Sequence, residues 1–103
     1  LGHDFLRHIQ RTKLLIHVLD ASVEDPLTDF YIVEEELLAY KDDLCRKPRL
    51  VVLNKKELVS KEREKEILET LHKQTNKEVL SISAAMNDGL NILLSKVWKA
   101  LEI

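Results

Sequence analysis

Glycine, proline and cysteine are scarce in this chain of 103 residues, which has two glycines, two prolines and one cysteine. Neither Gly2 nor Gly89 begins a phosphate-binding loop of the G-x-x-x-x-G-K-[ST] type, and no D-x-x-G occurs in the sequence. Because phosphoryl transfer requires such a loop, we expect no catalytic residue in this chain. The single cysteine, Cys45, excludes an internal disulfide and fits a reducing compartment, and we expect it to be a partly buried thiol without a chemical role.

Long apolar runs and an excess of one charge are also absent. The longest apolar run is far shorter than the roughly 20 residues that a membrane-spanning helix needs, so we expect no membrane span. Sixteen basic and eighteen acidic residues are interspersed and give a net charge of −2, which argues against direct DNA binding through a basic surface. The composition, 45% hydrophobic and 33% charged, is typical of one globular domain with a modest core. Because Leu1 begins no signal peptide, we expect a cytoplasmic chain that starts inside a longer protein.

Short apolar segments alternate along the chain with longer segments of helical spacing. Three segments rich in Val, Ile and Leu are typical of strands covered on both faces: residues 13–20, 50–53 and 79–82. Apolar residues at steps of three and four predict helices over residues 4–11, 27–40, 61–74 and 90–101. Helices of this length between strands imply parallel pairing with right-handed crossovers. The predicted fold class is therefore α/β, a three-stranded parallel sheet flanked by helices in the order α-β-α-β-α-β-α.

The last predicted helix has the cleanest amphipathic stripe in the chain, and we expect this stripe to lie in the core. Its apolar residues are Leu90, Leu93, Leu94, Val97, Trp98 and Leu101. Asn87-Asp88-Gly89 predicts a turn and cap before this helix. A sheet of three strands leaves two open edges, which is a liability, so we expect part of the domain to lie outside this chain.

Polar residues follow the second and third predicted strands at the point where each strand ends. Asn54-Lys55-Lys56-Glu57 follows one strand, and Ser83-Ala84-Ala85 follows the other. The carboxyl ends of parallel strands form the edge at which open α/β sheets bind ligands. A carboxylate there could accept two parallel hydrogen bonds from the ring N–H and the amine of guanine, a pair that adenine lacks. The methylenes of a lysine could lie across the base, and the N–H of Ala84 could donate to a base carbonyl. The pattern indicates a guanine pocket, while a turn capped by Asn54 between solvated lysines stays open as the alternative.

The two loops resemble known motifs. Asn54-Lys55-Lys56-Glu57 resembles the N-K-x-D base-recognition motif of P-loop GTPases, and Ser83-Ala84-Ala85 resembles their S-A-x motif, each after the expected strand. The stretches LGHDFLRHIQRTKLLIHVLDAS and DPLTDFYIVEEELLAYKDDLCRKPRLVVLNKKEL resemble the second half of the G domain in Obg-family GTPases. This resemblance covers essentially all 103 residues. It implies that residues 1–103 are a partial, Obg-type G domain with a Rossmann-like fold that lacks the P-loop and the switch regions.

The resemblance also implies a role for each motif residue. Asn54 would brace the base and the phosphate loop, Lys55 would cover the ring, Glu57 would bind the guanine N–H and amine, and Ala84 would donate to the guanine carbonyl. The family has Asp at the position of Glu57, and the extra methylene moves the carboxylate by more than the roughly 0.5 Å that functional sites tolerate. We therefore expect Glu57 to use another rotamer or to discriminate less sharply. The predicted binding residues are Asn54, Lys55, Glu57, Ser83, Ala84 and Ala85.

For the intact protein, the resemblance implies binding of GTP and GDP, slow GTP hydrolysis with Mg²⁺, and association with the large ribosomal subunit during its assembly. We place the Mg²⁺ ligands outside this chain. The alternative is a degenerate, non-hydrolysing GTPase half that acts as a protein-interaction module, and the upstream sequence would decide between the two.

An unrelated doubly wound domain that uses Asp20 for catalysis would leave the paired loops unexplained, so we expect Asp20 to cap the following turn instead. The histidines do not form a ligand-like cluster, so we predict no metal site. We expect His17, in the middle of the first strand, to be a packed core residue.

Overall fold

The computed structural model describes residues 2–41, 44 and 46–102, so the prediction for Cys45 lies outside the described residues. The predicted order of helices and strands is confirmed, with bounds that differ from the predicted ones by one or two residues. The helices and strands are α1 His3–Gln10, β1 Leu15–Asp20, α2 Pro26–Tyr40, β2 Arg49–Asn54, α3 Lys61–Thr75, β3 Val79–Ser81 and α4 Leu90–Leu101. A short 3-10 turn, Lys56–Leu58, follows β2 and was not predicted. Among the described residues, no helix has both the length and the apolarity to cross a membrane.

The three strands form one parallel sheet, as predicted, and the structure shows that they lie in the order β1-β2-β3. The register pairs Asp20 with Asn54, and Leu53 with Ser81. The ladder continues beyond the strands, because the N–H of Ile82 donates to the carbonyl of Leu53 at 2.8 Å. All three strands run in one direction, so their carboxyl ends lie along a single edge, which we call the carboxyl edge.

Short polar residues fix where α2 and α3 begin. The Asp25 carboxylate accepts hydrogen bonds from the backbone N–H groups of Leu27 and Thr28 at 3.2 and 3.3 Å. The Ser60 hydroxyl accepts one from the N–H of Arg63 at 3.0 Å. Each cap satisfies N–H groups that have no partner inside the helix and stabilises the helix by about 1 kcal/mol.

The core lies on the sheet face that α2 and α3 cover. Because side chains alternate between the faces of a strand, Leu19, Val51 and Leu53 point to this side. They pack with buried residues of the two helices, and the cluster consists of Leu19, Ala21, Phe30, Val51, Leu53, Ile67 and Leu71. A second cluster anchors α1 and consists of Leu6, Ile9, Leu37 and Leu44. The parallel sheet therefore has its best-packed interior directly below the carboxyl edge.

The prediction that the α4 stripe lies in the core is wrong. No described residue of α4 is buried, and Trp98 is 72% exposed. The ion pair between Lys96 and Glu78, 2.5 Å apart, holds α4 toward the β3 side of the sheet. On the same face, Ile16 and Val18 of β1 are also exposed. The stripe is wider than the surface that three strands offer, so half of it faces solvent.

His17 is a packed residue of β1, as predicted. Its ring stacks on Phe30, with 5.0 Å between ring centroids and 13° between the planes. The guanidinium of Arg49 is buried, forms an ion pair with Glu34 and lies 5.9 Å from the centre of the Phe30 ring. Burial is the main cause that lowers the pKa of His17 to about 4, and repulsion from Arg49 lowers it further.

We predict a loss of stability when His17 becomes protonated. Because its pKa is about 4 in the folded chain and 6.5 in the absence of structure, the unfolded chain binds the proton first as the pH falls. The contribution of neutral His17 to the free energy of unfolding is complete above pH 6.5 and declines as the pH falls toward 4. Urea unfolding across this range should show the decline, and His17→Gln should flatten it. His8→Gln, a change on the exposed surface of α1, is the control. An unchanged decline in His17→Gln would contradict the assignment.

A second prediction concerns Gly89, the N-cap of α4. Its φ of +86° lies in the left-handed region, and a Cβ there would meet Ile82 Cγ2 at 2.9 Å. We expect Gly89→Ala to lower the free energy of unfolding by about 1–3 kcal/mol. Gly2→Ala is the matched control, since nothing lies within 4 Å of the position that a Cβ would take there, and it should change stability by less than about 0.5 kcal/mol. Equal urea midpoints for the two variants would refute the role of Gly89.

Candidate functional site

The loops that follow β2 and β3 lie side by side at the carboxyl edge. The first loop begins at Asn54 and includes the 3-10 turn Lys56–Leu58. The second extends from Ile82 to Gly89. The backbone N–H of Lys56 donates to the carbonyl of Ile82 at 3.2 Å, which joins the two loops directly. The structure thus brings together the two motifs that lie about 30 residues apart in the sequence.

Asn54 and Ala84 form the central contact between these loops. The backbone N–H of Ala84 donates to Asn54 Oδ1 at 3.0 Å. Through this contact the Asn54 side chain holds the neighbouring loop. The sequence pattern predicts that this same N–H donates to a base carbonyl. An incoming carbonyl would have to share the N–H with Asn54 or replace Asn54 as its acceptor.

Ser83 and Ala85 play different parts in the second loop. Ser83 is only 1% exposed, and its hydroxyl accepts a hydrogen bond from the N–H of Met86 at 3.1 Å. Two backbone hydrogen bonds of 2.9 Å between Ser83 and Asp88 close the loop at its base. Ala85 lies exposed at the top of the enclosed turn. Ser83 thus shapes the loop from inside, while the alanines form its accessible surface.

Lys55 has an unusual backbone and a defined partner. Its φ of +70° is in the left-handed region, which is rare for a residue with a side chain. Its ammonium lies 2.9 Å from Asp20 Oδ2, across the gap between β2 and β1. Sequence reasoning missed this ion pair, because nothing local links residues that are 35 positions apart.

Asp20 caps the turn after β1, as predicted. Its Oδ1 accepts hydrogen bonds from the Ser22 N–H at 2.8 Å and from the Ser22 hydroxyl at 2.6 Å. The hydrogen bond from the Ser22 hydroxyl, followed by the one from Lys55, lowers the pKa of Asp20 to about 2. Asp20 is therefore an anion at neutral pH, and its Oδ2 faces the Lys55 ammonium.

Glu57 and Lys56 occupy the 3-10 turn. Glu57 is exposed, so its carboxylate is accessible from the carboxyl edge. Lys56 points toward the second loop, where its ammonium lies 3.1 Å from Asp88 Oδ2. Lys56 and Asp88 were not among the predicted site residues, and their ion pair is a third link between the two loops, besides the two hydrogen bonds.

The groups at this edge suit recognition rather than catalysis. They comprise an exposed carboxylate, a side-chain amide, a lysine stem and the backbone of a tight loop, all of which can contact a flat polar ring. Among the described residues, no group of three His, Cys, Asp or Glu side chains could hold a metal ion. A cavity of about 410 Å³ lies elsewhere, at the amino end of the sheet beside α4, and is lined by residues such as Leu50, Leu80 and Leu93. It is continuous with the incompletely covered face of α4 and contacts neither motif.

Comparison with known proteins finds close relatives of the chain. No protein-family model matches it. It is 54% identical to the GTPase Obg of Prochlorococcus marinus (strain SARG) and 52% identical to that of strain MIT 9303. It is 50% identical to the GTPase Obg of Synechococcus sp. (strain CC9311). Each match covers 100% of this chain and 31% of the relative. Over its whole length the chain is therefore similar to proteins named GTPase Obg, in agreement with the resemblance of its motifs, and it spans less than a third of the length of these relatives.

Proposed function

We propose that this chain is the base-recognition half of the GTP-binding domain of an Obg-type protein. The observation that carries the proposal is the hydrogen bond from the Ala84 N–H to Asn54, which joins the N-K-K-E loop and the S-A-A loop at one edge of the sheet. Either motif alone would be weak support. Their contact at the carboxyl edge, in a chain 50–54% identical to proteins named GTPase Obg, is what favours guanine recognition.

In this proposal, each side chain at the edge has one task. Glu57 accepts hydrogen bonds from the ring N–H and the exocyclic amine of guanine, and the exposure of its side chain leaves it free to turn toward the base. The stem of Lys55 lies against the ring, and the N–H of Ala84 donates to the guanine carbonyl. Ser83 holds the loop in shape, Ala85 allows close approach, and Asn54 braces the loop and the base.

We further propose that residues 1–103 form only part of the G domain, and that the phosphate loop and the switch regions belong to the rest of the protein. The unpaired edge of β1 and the exposed apolar side chains of Ile16 and Val18 on that strand support this division, and the exposed Trp98 of α4 is a further apolar group without cover. GTP hydrolysis to GDP and phosphate would be carried out by the intact protein. Mg²⁺ would neutralise phosphate charge there, and among the described residues no group of three His, Cys, Asp or Glu side chains could hold the ion.

The family resemblance supports a role for the intact protein as a cytoplasmic GTP-dependent switch. In this role, slow GTP hydrolysis would control its association with the large ribosomal subunit during assembly. The present chain would contribute selectivity for the guanine base to that switch.

We predict that the isolated chain binds GDP very weakly and hydrolyses no GTP, since it lacks the loop that would hold the phosphates. Titration of a fluorescent GDP analogue should show no saturation at micromolar chain concentrations. The comparison protein is the Synechococcus sp. (strain CC9311) GTPase Obg in which this chain replaces the matching segment, called the full-length chimera below. It should bind GDP and hydrolyse GTP. Micromolar affinity of the isolated chain, or an inactive chimera, would count against the proposal.

We also predict that Glu57 determines the choice of base. In the full-length chimera, Glu57→Ala should weaken GDP binding by about 10- to 100-fold, because two hydrogen bonds to a charged acceptor are lost. Binding of xanthosine or adenosine diphosphate should weaken less, since neither base offers that pair of donors. Glu62→Ala, a change at an exposed carboxylate in the first turn of α3, is the control and should leave all three affinities unchanged. An equal loss for all three bases in Glu57→Ala would refute the assigned role.

A further inference from the structure

We infer that Asp20 is a positioning residue for the nucleotide site: it anchors the Lys55 ammonium so that the lysine stem stays across the carboxyl edge, where it covers the face of the base. This inference rests on the proposed function. It assigns Asp20 no contact with the ligand, only a role through Lys55.

The Asp20 carboxylate is oriented before it meets Lys55. The register places Asp20, the last residue of β1, directly beside Asn54, the last residue of β2. Two hydrogen bonds from Ser22 hold Oδ1, at 2.8 and 2.6 Å. Oδ2 is thereby directed toward β2, where it lies 2.9 Å from the Lys55 ammonium. The carboxylate is thus a preorganised acceptor for the lysine.

The stem of Lys55 must span the space between the two strands to reach this acceptor. Its left-handed backbone, with φ +70° and ψ +32°, turns the chain at the end of β2. Its ammonium is then fixed at β1, so the methylenes between them lie over the carboxyl edge. A lysine side chain without an anchor samples many rotamers, so its contact with a ring would cost the conformational entropy of ordering the side chain. The anchor removes much of that cost before the ligand arrives.

The neighbouring lysine shows why the anchor is specific. Lys56 pairs with Asp88 in the loop after β3, on the opposite side of β2. Because the strand order is β1-β2-β3, Asp20 and Asp88 lie on the two sides of the turn. The two adjacent lysines are therefore drawn apart, and only Lys55 is held across the gap between β1 and β2.

We expect Asp20→Asn to weaken nucleotide binding by the full-length chimera about twofold to fivefold, the range expected for a partly exposed ion pair. The loss should be the same for GDP and xanthosine diphosphate, because the stem contacts the face of any purine. It should shrink at high salt, which screens the pair. Asp20→Glu, which keeps an anion within reach of Lys55, should restore most of the affinity.

A double-mutant cycle separates this role from a structural one. Lys55→Met keeps the stem and removes the ammonium, so Asp20→Asn should have no further effect in the Lys55→Met background. Ser60→Ala removes the hydroxyl that caps α3 and takes no part in the Asp20–Lys55 ion pair, so it should lower thermal stability without changing nucleotide affinity. The inference is overturned if Asp20→Asn leaves the affinity unchanged, if its effect persists beside Lys55→Met, or if Ser60→Ala weakens binding equally. An unsubstituted chimera that binds no nucleotide would overturn the proposed function itself.

Discussion

Parallel pairing in register is the constraint on which the rest of this structure depends. Because β1, β2 and β3 run in one direction, three strand ends meet at one edge, and the register decides which residues face each other there. Asp20 stands beside Asn54, and Leu53 stands beside Ser81. A slip of one residue would turn Leu19 and Leu53 out of the core, so the buried clusters below the edge protect the alignment above it.

Local patterns in the sequence were sufficient to predict the elements and the two motif loops. Apolar periodicity distinguishes strand from helix. Polar or turn-forming residues mark where an element ends, as Asn54 does for β2, or where it begins, as Gly89 does for α4. The ion pairs of Lys55 with Asp20 and of Lys56 with Asp88 could not be predicted in the same way. The chain has 34 charged residues other than histidine, and their partners depend on the register and on loop geometry rather than on spacing along the chain.

The wrong prediction for α4 has a different origin. The spacing of its leucines and Trp98 correctly indicates a helix with one apolar face. Whether that face is buried depends on the width of the surface below it, and three strands are too few to cover Trp98. The spacing of apolar residues indicates which side chains of a helix could be buried, but their burial requires another surface that packs against them.

The hydrogen bond between Ala84 and Asn54 also affects which contacts of the proposed site would supply affinity and which would supply selectivity. The Ala84 N–H already has an acceptor, so a base carbonyl that replaces this acceptor gains only the difference in free energy between the two hydrogen bonds, which is small. Glu57, in contrast, is exposed. On binding it would exchange hydrogen bonds from water for hydrogen bonds from the ring N–H and the amine of guanine, a pair of donors that adenine and xanthine lack. Discrimination then resides mainly in Glu57, whereas most of the binding free energy must come from contacts with the phosphates. Since such contacts require a loop that this segment does not contain, the proposed site would read the base here and depend on other residues to hold the phosphates.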